Sequence, residues 1–290
     1  MELDKKRMHK PEWLRIKLGN NERFSATGKI IKDRGLHTIC QSGKCPNMGE
    51  CWNQGTATFM IAGDICTRSC KFCNTQTGKP FPLDPDEPYK VAQSIQLLKL
   101  KHAVITSVDR DDLDDYGAFH WAETVREIKK QNPKTTIEVL IPDFRGNKEC
   151  VKQVIESAPD IISHNLETVR RLTPLIRSVA QYETSLAVLK QIGESGIPAK
   201  SGLMLGLGET KDEVVETMKN LINVGCYFLS IGQYLQPSKG NIPVSEYVHP
   251  IVFEEYKQVA SLLGVKYIES APLVRSSYHS KDFLNGSDSI

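Results

Sequence analysis

Short β-branched runs alternate with helical patterns along this chain, and that alternation restricts its fold more than any other feature. The strand candidates are Thr56 to Ala62 (TATFMIA), Ala103 to Val108, Thr135 to Ile141, Ile161 to His164, Ser201 to Leu207 and Phe228 to Gly232. Between them apolar residues recur at helical spacing, as at Val91, Ile95 and Leu98, or at Val214, Val215, Met218, Leu221 and Ile222. Strands that alternate with helices pair in parallel, cover one face with the helices and place sites in the loops after the strand C-termini. The expected fold is therefore α/β, a closed or partly open TIM-type barrel of six βα units. A chain of 290 residues with 40% hydrophobic residues can bury such a core as one main domain. The expected organisation is an N-terminal extension over 1–55, the barrel over 56–265 and a C-terminal segment over 266–290. Lys79 to Pro88 carries four prolines and three acidic residues, which predicts an extended loop. The tail FLNGSDSI is expected to be solvent-exposed.

The charges, 37 basic against 35 acidic, are interspersed and give a formal net of +2, so nucleic acid is not an expected partner. No apolar run reaches the roughly 20 residues of a membrane span. The start, MELDKKRMHKPEWLRIKL, lacks an apolar core and carries acidic residues, so neither a secretory signal nor a transit peptide is expected and a cytoplasmic location is. In that compartment thiols stay reduced, so eight cysteines point to metal or redox chemistry rather than disulfides.

Six of the eight cysteines lie between Cys40 and Cys73, in two triplets. Cys66, Cys70 and Cys73 form C-x3-C-x2-C in CTRSCKFC, just after the first strand candidate. Three thiolates on one loop can hold three irons of a [4Fe–4S] cluster, and no fourth ligand lies nearby in sequence, so one iron is left open for a cofactor. A structural zinc site is the alternative, and it normally requires four ligands. Cys40, Cys45 and Cys51 form C-x4-C-x5-C in CQSGKCPNMGEC, where Gly43, Pro46 and Gly49 predict a turning loop without helix or strand. Taken alone, this second triplet is equally a zinc loop or scattered thiols. Cys150 and Cys226 stand apart in helical or helix-end contexts and are expected to be small buried hydrophobes.

The first triplet, with Phe72 before its last cysteine, resembles the motif of the radical S-adenosylmethionine superfamily. The second triplet resembles the auxiliary cluster motif of lipoyl synthases. That family also ends in R-S-S-Y, matched by Arg275, Ser276, Ser277 and Tyr278. Further matches are KPEWLR near the N-terminus, HNLET from His164, and IGQYLQPS from Ile231 to Ser238, so the likeness spans Lys10 to about His279.

The resemblance implies two [4Fe–4S] clusters and S-adenosyl-L-methionine as cofactors. Cys66, Cys70 and Cys73 would hold the cluster that cleaves S-adenosylmethionine to a 5′-deoxyadenosyl radical; Cys40, Cys45 and Cys51 would hold the other, with Ser277 as fourth ligand. A hard oxygen ligand among soft ones should exchange readily. Arg275 is expected to steady the C-terminal segment or the substrate's lysine region.

KSGLMLGLGET, from Lys200, has glycines that permit close approach of a ligand, and it resembles the superfamily's G-x-I-x-G-x-x-E element, which lies against the adenine; Lys200, Met204 and Glu209 are the candidate contacts. Thr106 to Ala118 is dense in carboxylates, where the cofactor's ammonium could be held, and Ser107 and Asp109 are candidate cofactor contacts. Tyr116 stands where the family carries glycine, so a different backbone path is expected there. Asn165 and Glu167 are candidates for binding ribose hydroxyls or for orienting substrate.

The function implied is insertion of sulfur at carbons 6 and 8 of an octanoyl chain on a lysine of a lipoyl carrier domain, with the auxiliary cluster as sulfur donor. Such aliphatic C–H bonds have no acidity for general bases to use, hence the radical. Implied partners are octanoylated lipoyl carrier domains, namely the glycine cleavage H protein and the E2 subunits of 2-oxoacid dehydrogenases, and a ferredoxin or flavodoxin reductant. The competing readings are a methylthiotransferase, which would lack RSSY and bring an added domain, and a non-catalytic electron-transfer protein, which the strand–helix units and incomplete cysteine sets argue against.

Overall fold

All six β-branched runs become strands, displaced by at most two residues at their ends. The computed structural model describes residues 9–15, 22–53 and 57–277. The six are β2 (Thr58–Ile61), β5 (His102–Ser107), β6 (Thr136–Leu140), β7 (Ile161–Ser163), β8 (Ala199–Leu205) and β9 (Cys226–Gln233). Four more strands complete the set: β1 (His37–Thr38), β3 (Ile65–Cys66), β4 (Gln76–Thr77) and β10 (Tyr267–Ser270). The main sheet runs β1-β2-β5-β6-β7-β8-β9-β10, with β3 and β4 paired separately. From β2 to β10 every neighbour is parallel; β1 joins the edge of β2 antiparallel. Because β1 and β10 stand at opposite ends of this order, the barrel is open.

Each parallel step needs a crossover, and helices supply them. They are α4 (Glu87–Leu98), α5 (Ala118–Gln131), α6 (Lys148–Glu156), the short α7 (Thr173–Ile176) with α8 (Tyr182–Glu194), α9 (Lys211–Asn223) and α10 (Pro250–Leu262). Ahead of the barrel lie α1 (Glu22–Asp33), α2 (Ile39–Ser42) and α3 (Met48–Asn53). The apolar stripes behave as the sequence predicts: Val91 and Ile95 of α4, and Val214, Met218 and Leu221 of α9, are buried in the same core as Ile105, Ile137 and Val139. Each such side chain contributes about 1.5–3 kcal/mol on leaving water. Side chains alternate faces along a strand, so Glu138, between Ile137 and Val139, points the other way, into the barrel. Lys200 and Ser163 join it there, both buried.

Three expectations are corrected. The Cys40–Cys51 region is not free of regular structure, since Cys40 lies in α2 and Cys51 in α3. Thr38 starts α2 by accepting a hydrogen bond from Gln41 N at 3.3 Å. Helices of four and six residues are too short to display a period. The proline-rich loop ends sooner than expected, because Pro88 sits in the first turn of α4, where its missing N–H costs nothing. Cys226 opens a strand rather than a helix end, and its thiol donates to Ala199 O at 3.4 Å. Cys150 lies buried in α6. No helix among the described residues is long and apolar enough to cross a membrane. The tail FLNGSDSI lies outside the described residues.

Candidate active site

The cysteine loop leaves β2 through a left-handed turn at Ala62 (φ 65) and Gly63 (φ 96). The turn is fixed from both sides: Ala62 N donates to Glu87 Oε2 at 2.7 Å, and Arg110 Nη1 donates to Ala62 O at 3.1 Å. Three neighbours then hold the loop itself. Thr67 N donates to Asp109 O (3.1 Å), Lys71 N to Ile176 O (2.8 Å), and Asn241 Nδ2 to Cys73 O (2.7 Å). Cys66 Sγ accepts N–H bonds from Asp109 (3.3 Å) and Arg68 (3.4 Å), and Cys73 Sγ one from Thr75 (3.4 Å). Burial, with Asp109 adding to it, pushes the Cys66 thiol up to about 12, and burial raises Cys70 as well. Both are therefore thiols at rest, and binding a metal would release their protons. Phe72 is half-buried against the core.

Arg68, inside the cysteine motif, was not singled out from sequence. It is buried and bridges Asp109 (3.2 Å), Asp111 (2.8 Å) and Asp143 (2.8 Å), which lie after β5 and β6. Burial would raise Asp143, but the Arg68 hydrogen bond and charge outweigh it and hold the carboxyl at about 2. Asp109 goes the other way: burial and its acidic neighbours raise it against the pull of Arg68. One signal pointed here, since Asp143 follows a strand C-terminus, where barrels place their sites.

Five side-chain atoms around the barrel mouth are buried without a hydrogen-bond partner: Ser107 Oγ, His164 Nε2, Asn165 Oδ1, Thr168 Oγ1 and Arg177 Nε. Buried polar atoms are nearly always paired, so this group fits a polar ligand such as S-adenosylmethionine. His164 donates from Nδ1 to Ile141 O at 2.9 Å, which leaves Nε2 as an acceptor. Burial and then the Arg177 charge lower its pKa to about 4, so the ring is neutral. Glu167, at φ 67, accepts from Asn165 Nδ2 at 3.1 Å, and burial raises its carboxyl. Glu167 O accepts from Met204 N at 2.9 Å, which ties the end of β7 to β8.

The β8 glycines admit protein rather than ligand. A Cβ on Gly202 would lie 2.8 Å from Asn165 Oδ1, and one on Gly206 2.2 Å from Gln233 Nε2. Glu209 closes the turn that follows, accepting from Gly206 N (2.5 Å) and Leu207 N (2.9 Å). Tyr116 (φ 54) and Gly117 (φ 83) are both left-handed, so tyrosine here takes a conformation that glycine takes freely.

The second triplet is also drawn together, since Cys45 acts electrostatically on the Cys40 thiol, and both act on that of Cys51. Burial chiefly, then Cys45, puts Cys40 at about 11; burial, then Cys40 and Cys45, puts Cys51 at about 12. The C-terminal arm, residues 271–277, reaches this set. Asn47 Nδ2, between Cys45 and Cys51, donates to Leu273 O at 2.7 Å, and the Arg275 charge pulls Cys45 down against its burial. Ser277 follows on the same arm; Tyr278 lies outside the described residues. Among the described residues no group of three His, Cys, Asp or Glu side chains converges on a single ion.

An open parallel barrel with a three-cysteine loop after its first parallel strand defines a radical S-adenosylmethionine protein, and the family model described as Radical SAM superfamily matches residues 60–221. The fold is shared with a crystal structure of methylornithine synthase (TM-score 0.53, 10% identity, 72% of this chain and 69% of that one). It is shared too with Streptococcus suis SuiB bound to S-adenosylmethionine (TM-score 0.55, 12% identity, 78% and 55%). Closer in sequence, the lipoyl synthase of Bacteroides fragilis is 65% identical over 96% of this chain and 97% of its own length. That of Treponema denticola is 59% identical over 94% of each. The chain belongs to the lipoyl synthase family.

Proposed function

We propose that this chain inserts sulfur at carbons 6 and 8 of an octanoyl chain amide-linked to a lysine of a lipoyl carrier domain. The observation that carries the reading is the C-terminal arm, which meets the second cysteine set at Asn47 and the barrel interior at Lys200, while Asn74 Nδ2, just after the first set, donates to Ser42 O beside the second at 2.8 Å. When bound, [4Fe–4S] clusters and S-adenosylmethionine supply one-electron chemistry able to break an unactivated C–H bond, and sulfur to replace the hydrogen.

The protein's share is placement. Cys66, Cys70 and Cys73 would hold one cluster, and the N–H groups of Arg68, Asp109 and Thr75 on their sulfurs would stabilise its charge. Ser107, Asn165 and the neutral His164 ring offer unpaired polar atoms to the cofactor, with Asp109 and Glu167 alongside. Lys200, Met204 and Glu209 shape the β8 side of the mouth. Cys40, Cys45 and Cys51, with Ser277, would hold the second cluster, and Arg275 favours the Cys45 thiolate. On this reading residues 1–55 and 266–290 furnish the second set around the barrel of 56–265. The partners are octanoylated H protein or E2 domains and a ferredoxin or flavodoxin reductant.

The test is anaerobic reconstitution followed by a single turnover with S-adenosylmethionine, reductant and an octanoyl-lysine carrier peptide, read by mass spectrometry. A singly thiolated peptide and then a dithiolane, with 5′-deoxyadenosine, is expected. 5′-Deoxyadenosine without sulfur in the peptide would keep the radical chemistry and remove the substrate.

A further inference from the structure

Lys200 is 1% exposed at the second position of β8, and Glu138 is fully buried on β6. The ammonium donates to both carboxylate oxygens, at 2.9 and 3.2 Å, and also to the backbone carbonyl of Ser276, at 2.5 Å. Ser163 Oγ donates to the same carboxylate at 2.8 Å. A buried ion pair carries a desolvation penalty that an apolar pair of similar volume avoids, so packing alone does not explain this choice. What the ion pair offers is a fixed donor aimed at the C-terminal arm. Ser276 is held a second time, because its hydroxyl accepts from Asn165 Nδ2 at 2.7 Å. The next residue on the arm is Ser277.

We propose that Glu138, Lys200 and Asn165 are positioning residues that grip Ser276 by its carbonyl and its hydroxyl and so hold the Ser277 hydroxyl at the Cys40, Cys45 and Cys51 set. The proposal rests on the reading of Ser277 as fourth ligand, and it separates the roles of the two serines in the RSSY run, the first anchoring and the second ligating. It also gives a reason for a hard, exchangeable ligand to stay in place until turnover. The ligand is weak at the metal, and the arm behind it is held from inside the barrel.

The test uses the full chain reconstituted anaerobically with Mössbauer-active iron and sulfide, with S-adenosylmethionine present to cover the open iron and no reductant. The rate at which a ferrous chelator removes iron, and the Mössbauer signal of the oxygen-bound iron, are compared in wild type, Ser277→Ala, Ser276→Ala and the double variant Glu138→Gln/Lys200→Met. Ser277→Ala should lose the signal and release iron fastest. Ser276→Ala and the double variant should each release one iron about tenfold faster than wild type, the effect of losing one buried hydrogen bond. Ser276→Ala leaves the barrel interior untouched, so it decides the matter if the double variant fails to fold. If Ser277→Ala behaves as wild type, the ligand reading fails and the proposal falls with it. If Ser277→Ala releases iron quickly while the other two match wild type, the ligand reading stands and the positioning role is overturned.

Discussion

Replacing Gly232 by alanine would set one methyl group against the arm that carries Ser277. The added Cβ would lie 2.1 Å from Val274 O and 3.2 Å from Arg275 Nη1. The first distance is impossible for real atoms, and opening it to ordinary contact moves the Val274 carbonyl by at least about 1.3 Å. The arm cannot absorb that freely. It is tied on either side of Val274, by Gln233 N to Pro272 O at 3.1 Å and by Lys200 Nζ to Ser276 O at 2.5 Å. Lengthening the first of these by the same amount takes it beyond hydrogen-bonding range. Overpacking of this kind costs about 1–3 kcal/mol of stability. A displacement of about 1 Å at a ligand costs on the order of 100-fold in rate. Gly232→Ala should therefore fold, melt a few degrees lower, and insert sulfur about 100-fold more slowly in a single turnover. Gly240→Ala is the control, since its Cβ would meet nothing closer than Ser238 Oγ at 3.8 Å. A Gly232→Ala enzyme with wild-type rate and iron content would refute the reasoning.

Arg68→Met strands three carboxylates around a buried gap, and should lower the unfolding free energy by about 3–5 kcal/mol in a denaturant titration; a loss below about 1 kcal/mol would show that the cage is not structural. His164 is neutral in the folded chain because burial lowers its pKa to about 4, so its contribution is complete above the unfolded value and is lost as pH falls from about 6.5 to 4. Over that window wild type should lose about 3 kcal/mol more stability than His164→Asn, and equal slopes of the two would contradict the assignment. Gly206→Ala meets Gln233 Nε2 at 2.2 Å and Glu246 O at 2.3 Å from a left-handed backbone, and should cost about 3 kcal/mol as read from its melting temperature. An unchanged melting temperature would mean that the turn relaxes.

What was legible in the sequence is what repeats or clusters. Six strands announced themselves through β-branched runs, and the six cysteines of the two triplets through spacing. β10 did not, because YIES is only four residues long and its two apolar residues are followed by two polar ones without alternation, although it pairs along its whole length with β9. β1 is two residues long and carries no pattern at all. Of the candidate site residues, Ser107 and Asn165 present unpaired atoms to the mouth, whereas Lys200 and Glu209 are engaged with the protein itself. That distinction depends on partners far apart in sequence, such as Glu138 for Lys200, and no local motif encodes it. The same is true of Arg68, whose three carboxylates come from two different strand ends.

The central claim is that the Cys40, Cys45, Cys51 and Ser277 set supplies the sulfur that enters the substrate. Its most direct test is to reconstitute the clusters with isotopically heavy sulfide, remove free sulfide, and run one turnover on an octanoyl-lysine carrier peptide in unlabelled buffer. The account predicts a product whose two sulfurs both carry the heavy label in wild type, and none in a chain with Cys40, Cys45 and Cys51 replaced by alanine. Unlabelled sulfur in the product, or product from the triple variant, would contradict it.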